Sequence, residues 1–150
     1  MSQFYVINWF SRNKNVLKDT EQQVRYTRNE ENIHAKVGIK IINTIREEHP
    51  ELFDEELEQR ILHEAEQAYI AEAKIIDWMV NGINEEGLSA PLLKEFIKSS
   101  INDSMEQISF KKAFYVDNDI IKDTMWFEEE LMGNNSTDFF NSRHVEYSKK

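Results

Sequence analysis

Residues 19–48 read DTEQQVRYTRNEENIHAKVGIKIINTIREE, thirty residues with one glycine and no proline before Pro50. Val24, Thr27, Glu31, His34, Gly38, Ile41 and Ile45 recur through it in steps of three and four, which places them on one side of an α-helix. The stretch is therefore expected to be a helix with that stripe facing other helices. Asp19 with Gln22 three positions on resembles a capping box, in which the aspartate accepts from an orphan helix N–H. Pro50 should stop the helix.

Glu31 and His34 do not belong in an ordinary apolar seam. They stand at i and i+3 and point the same way, and a carboxylate buried without a partner costs several kcal/mol. A metal ion would compensate them. Glu-x-x-His on each of two helices, with carboxylates from two others, is the ligand set of di-iron and di-manganese bundles. Here Glu31-Asn32-Ile33-His34 supplies the motif once, as the other histidines lack a carboxylate three positions before them. A solvated surface pair is the competing reading, because so short a motif often arises by chance.

Outward from this helix the pattern stays helical. A third segment should start at Asp54, carry Leu57, Ile61, Ala65, Ala68, Glu72, Ile75 and Met79 inward, and end at Gly82. Within it Glu72 is a second polar residue on an apolar stripe, read either as orienting His34 or a bound water or as a surface glutamate flanked by alanines. A fourth should start near Ser89, with Pro91 in its first turn and Leu93, Phe96, Ile97, Ile101, Met105 and Ile108 inward. Met1 to Phe10 is strongly apolar and is expected to lie in a buried element. Beyond Phe110 short helices are expected at Asp117–Asp123 and Met125–Met132, then a loop at Gly133–Thr137. Residues 1–137 are taken as one helical bundle and 138–150 as an extended tail. Trp9, Trp78 and Trp126 are read as packing residues, and His49, His63 and His144 as surface residues.

Composition excludes several function classes. Only four glycines and two prolines among 150 residues point to an all-α protein without a sheet. A net charge of −10 with no block of Lys or Arg argues against nucleic-acid binding. The absence of cysteine removes disulfides and zinc-thiolate sites. No secretory signal or membrane-length apolar run is present, so a cytoplasmic protein without membrane contact is expected.

The run Tyr26-Thr27-Arg28-Asn29-Glu30-Glu31-Asn32-Ile33-His34 resembles the R-D-E-x-x-H helix of class I ribonucleotide reductase small subunits, the radical-generating component. The order that follows is similar too: GIKIINTIREEHP at 38–50, a Glu-bearing helix around Ala71-Glu72-Ala73, a long helix over Leu92–Phe110, and Asp138-Phe139-Phe140-Asn141-Ser142-Arg143-His144-Val145-Glu146-Tyr147, like the family's D-F-F-x-x-R-x-x-x-Y segment. The resemblance implies the C-terminal portion of a ferritin-like helical bundle. It makes Glu31 and His34 ligands of a dinuclear iron or manganese–iron centre and Tyr147 the relay of the radical to the large subunit. Glu30 falls where the family usually has an Asp that hydrogen-bonds near the ligand histidine. The family's remaining ligands, an Asp, a first Glu-x-x-His and a further Glu, would precede Met1. The expectation is thus a split small subunit whose N-terminal half is a separate polypeptide, the completed unit forming a dimer and reducing ribonucleotides with the large subunit. The alternatives are a non-redox helical interaction protein derived from the family, and a homodimeric ferritin-like metal binder.

Overall fold

The computed structural model describes residues 1–127 and 129. Helix α1 spans Ser2–Lys14, α2 Lys18–Glu48, α3 Glu55–Met79, α4 Ala90–Gln107 and α5 Asn118–Ile121; short 3₁₀ turns cover Pro50–Leu52 and Lys122–Thr124. The expected sheet-free chain needs one correction. A minimal antiparallel hairpin pairs β1, Asn84–Glu85, with β2, Leu88–Ser89. It closes through Gly87 at φ 72, a left-handed backbone that glycine adopts without steric cost. A Cβ there would also lie 3.3 Å from Trp9 Nε1.

Two expected helix starts form as read. Asp54 accepts from the Leu57 N–H at 2.8 Å to open α3, and Ser89 Oγ accepts from the Leu92 N–H at 3.4 Å to open α4, with Pro91 in its first turn. The start of α2 differs. Its cap residue is Leu17, at φ 60, with no side-chain capping bond, and Asp19 lies inside the first turn. The chain leaves α1 through a left-handed Asn15 (φ 55) and reverses within three residues, which brings the helix in before Asp19 can cap it. Asp19 and Glu21 still place negative charge at the positive end of the helix dipole.

The core gathers around α1. Tyr5, Trp9, Ile76, Val80, Leu88, Leu93, Phe96, Ile97 and Phe127 form one buried cluster, so the apolar opening of the chain is a buried element as expected. Tyr5 packs 5.4 Å from Phe96, 5.1 Å from Trp126 and 5.3 Å from Phe127, between ring centroids. Its hydroxyl donates to the Gly87 carbonyl at 2.8 Å, and Trp9 Nε1 donates to the Glu86 carbonyl at 3.1 Å. Burial pushes the Tyr5 phenol up to about 12, so it remains a donor at neutral pH.

Two polar side chains tie down the irregular segment after α4. Buried Asn102 accepts from the N–H groups of Ala113 and Phe114, both at 3.0 Å, and donates to the Phe114 carbonyl at 2.9 Å. Glu95 accepts from the Asp117 N–H at 3.0 Å and pairs with Lys98 at 2.6 Å. At the far end of α2, the Arg46 guanidinium lies over the rings of Phe53 (4.1 Å) and Phe110 (4.5 Å) and donates to the Ile108 carbonyl at 2.9 Å. It thereby closes the C-terminus of α4.

Trp78 corrects another expectation: it is 80% exposed, while Trp9 is buried and Trp126 partly so. The core-facing side of α3 passes through Ala65, Ile76 and Val80, which turns Trp78 outward. The expected tail over 138–150, the loop at 133–137 and half of the helix at 125–132 lie outside the described residues.

Candidate metal centre

Long helix α2 is held at its two ends. Near its start Val24 and Arg28 are buried, and near its finish Asn43 and Arg46 bond to the Gln107 and Ile108 carbonyls. Between them, from Glu31 to Val37, every residue except half-buried Asn32 is exposed. The expected inward stripe is thus rotated: Val24 is buried, but Thr27, Glu31, His34, Ile41 and Ile45 face outward. The physical reason is that α2 is apolar on more than one side. The described residues cover the side with Val24, Ile39 and Ile42 and leave the side with Ile33, Val37, Ile41 and Ile45 open.

Glu31 and His34 lie together on the open side. Glu31 Oε2 is 3.5 Å from His34 Nδ1, and the side chains are 64% and 73% exposed respectively. Neither is buried against another helix among the described residues, so nothing there imposes the desolvation cost that would demand a metal. The donors themselves suit iron or manganese: a carboxylate and an imidazole, one turn apart, directed to the same side. Among the described residues, no group of three or more His, Cys, Asp or Glu side chains converges to hold a metal ion. The pair therefore fits a dinuclear centre as a partial donor set only. Glu30 is exposed one position round the helix, and Tyr147 lies outside the described residues.

Glu72 is engaged elsewhere than with His34. Its Oε1 accepts from the Ser2 N–H at 3.1 Å and the Ser2 hydroxyl at 2.6 Å, so it sits as an anion at the N-terminus of α1. Burial alone would raise its carboxyl pKa, but the Ser2 bonds and the nearby terminal amine outweigh burial and hold it below the ordinary value. Neither expected reading of Glu72, as an acceptor beside His34 or a bound water or as a plain surface glutamate, anticipated its bonds to Ser2.

Arg28 had no signal in the motif. It is a charged residue 5% exposed, one turn before Glu31, with its guanidinium over the Phe127 ring at 5.2 Å. Its spacing of four from Val24 was the available clue, because that is the interval of the side this chain covers.

The family whose pattern this helical chain matches is the ribonucleotide reductase small chain. The chain matches that family over residues 1–120 and belongs to it, with its all-α, ferritin-like fold. Two relatives are named ribonucleoside-diphosphate reductase subunit beta. The protein of Chlamydia pneumoniae is 29% identical over 147 residues, covering 97% of this chain and 40% of its own length. That of Aquifex aeolicus (strain VF5) is 32% identical over 124 residues, covering 79% of this chain and 17% of its own length. The chain thus spans well under half of either relative. No helix among the described residues is long and apolar enough to cross a membrane.

Proposed function

We propose that this chain contributes Glu31 and His34 to the dinuclear metal centre of a ribonucleotide reductase small subunit, and that helices outside it supply the remaining ligands. The observation that carries the reading is the open side of α2, where the Glu31–His34 pair shares its exposure with Ile33, Val37, Ile41 and Ile45. Exposed apolar residues in a continuous helical row mark a surface made to be covered. Covering it would desolvate the pair, and a metal would then offset the cost.

In the completed site the Glu31 carboxylate and the neutral His34 imidazole bind metal from one side of α2. Glu30, beside the pair, is the candidate to hydrogen-bond to the group that orients the site. The iron or manganese–iron centre would supply the one-electron oxidising equivalent. Tyr147 is the proposed relay of that equivalent toward a catalytic cysteine of the large subunit, where ribonucleotides are reduced. The partners proposed are a polypeptide with the N-terminal helices of the small subunit, the large subunit, and a second copy of the completed unit, all in the cytoplasm.

The test is purification of the tagged chain from its native source, with native mass spectrometry and metal analysis. A co-purifying helical polypeptide with bound iron or manganese, lost when Glu31 and His34 are both changed to Ala, is expected. A second reading, a non-redox interaction protein of the same family, draws on the solvent exposure of the pair. Undiminished reductase activity in the Glu31→Ala, His34→Ala complex would establish it instead.

A further inference from the structure

We propose that Arg28 is a positioning residue: by clamping α2 onto Phe127 it sets the direction in which Glu31 and His34 are presented to metal. The inference rests on the proposed function, since it concerns how that donor pair is held.

Helix α2 is gripped near Val24 and Arg28 and again at Asn43 and Arg46, with the donor pair on the exposed span between. The rotation of that span is set by the nearest fixed side chain before it. Arg28 is that side chain, 5% exposed, its guanidinium 5.2 Å from the centroid of Phe127. Phe127 cannot yield easily. It is fully buried and packs 5.3 Å from Tyr5 and 5.6 Å from Phe96, so it transmits the position of α1 and α4 to Arg28.

Each residue turns an α-helix by about 100°, which puts Glu31 about 60° and His34 about 120° round from Arg28. A fixed Arg28 therefore determines where both donors point. A dinuclear site tolerates little error in its donors, because ligand directions must hold to within about 10–20°. A flexible Lys in place of Arg28 keeps the charge and loses the planar stack on the ring. Leu in place of Phe127 keeps burial and loses the ring face.

The experiment uses the complex purified through this chain, stripped of metal, with Mn(II) affinity read by electron paramagnetic resonance and amide exchange followed over residues 29–36. Arg28→Lys and Phe127→Leu are each expected to weaken Mn(II) binding about tenfold and to speed exchange in 29–36, while the double variant is weakened no further than either single one. Arg46→Met, which removes the half-buried arginine stacked on Phe53 and Phe110 at the other end of α2, controls for stability: it should lower the melting temperature and leave Mn(II) affinity unchanged. Unchanged Mn(II) affinity in Arg28→Lys and Phe127→Leu, with wild-type binding still dependent on Glu31 and His34, would overturn the clamp alone. Failure of the wild-type complex to bind Mn(II) through Glu31 and His34 would overturn the clamp together with the proposed function.

Discussion

At the residue scale, buried polar groups hold together the parts of this chain that regular secondary structure does not. Asn102 satisfies two N–H groups and a carbonyl of the segment after α4. Its replacement by Ala leaves those backbone groups without partners in a buried place. Asn102→Ala is expected to cost about 2–3 kcal/mol, measured by urea unfolding. Asn102→Asp should recover only part of that, because its carboxylate would face the Phe114 carbonyl that now accepts a hydrogen bond. Glu72 makes a pH-dependent contribution of the same kind. Its folded carboxyl is held below the ordinary value of 4.5, so its stabilisation is full above that value and is lost as pH falls through the depressed one. Glu95, lowered by its Lys98 and Asp117 partners against the effect of burial, acts with the same sign. Glu72→Gln is therefore expected to be less stable than the wild type at neutral pH. The gap should narrow on acidification, as urea midpoints across that range would show.

At the scale of the element, α2 is a helix whose sequence serves two environments. Gly38 illustrates the tension: a Cβ built there meets nothing within 4 Å, although glycine weakens a helix interior by about 1 kcal/mol relative to alanine. Gly38→Ala should stabilise the isolated chain by about 0.5–1 kcal/mol in thermal unfolding. If a partner helix packs closely against the glycine, the same change should weaken co-purification. Equal gain in stability and in assembly would show that no close approach occurs there. The helix itself was legible in the sequence, with its extent, its stop at Pro50 and the placing of Glu31 and His34 together on one side, although that side was expected to face inward. The side facing inward was not legible, because periodicity reports that residues share a side and is silent on which side the same chain covers. The caps at Asp54 and Ser89 were legible because capping is local chemistry. The entry through Leu17 was missed because a left-handed leucine is a consequence of how α1 docks, which no local pattern encodes. Arg28 was invisible for a related reason: a charge is read as surface until its ring partner, ninety-nine positions away, is placed beside it.

At the scale of the whole molecule, the aromatic core around Tyr5 and Phe127 is buried, while among the described residues nothing covers the middle of α2. The two regions should respond differently to substitution. Introducing charge at Val37 and Ile41 removes apolar surface from water contact and touches no buried residue, so Val37→Glu, Ile41→Glu is expected to change the unfolding free energy of the isolated chain by less than about 0.5 kcal/mol. Both positions lie on the open side beside His34, however, and a charge buried there without a partner costs several kcal/mol. The double variant should consequently lose its partner polypeptide on purification and lose bound metal with it, although Glu31 and His34 are intact. Helix content by circular dichroism supplies the control. Retained helicity with lost partner and lost metal assigns the open side of α2 to assembly, and shows that the donor pair binds metal only once that side is covered. Retained partner and metal in the same variant would place the assembly surface elsewhere, with exposed Trp78 on α3 the next position to change.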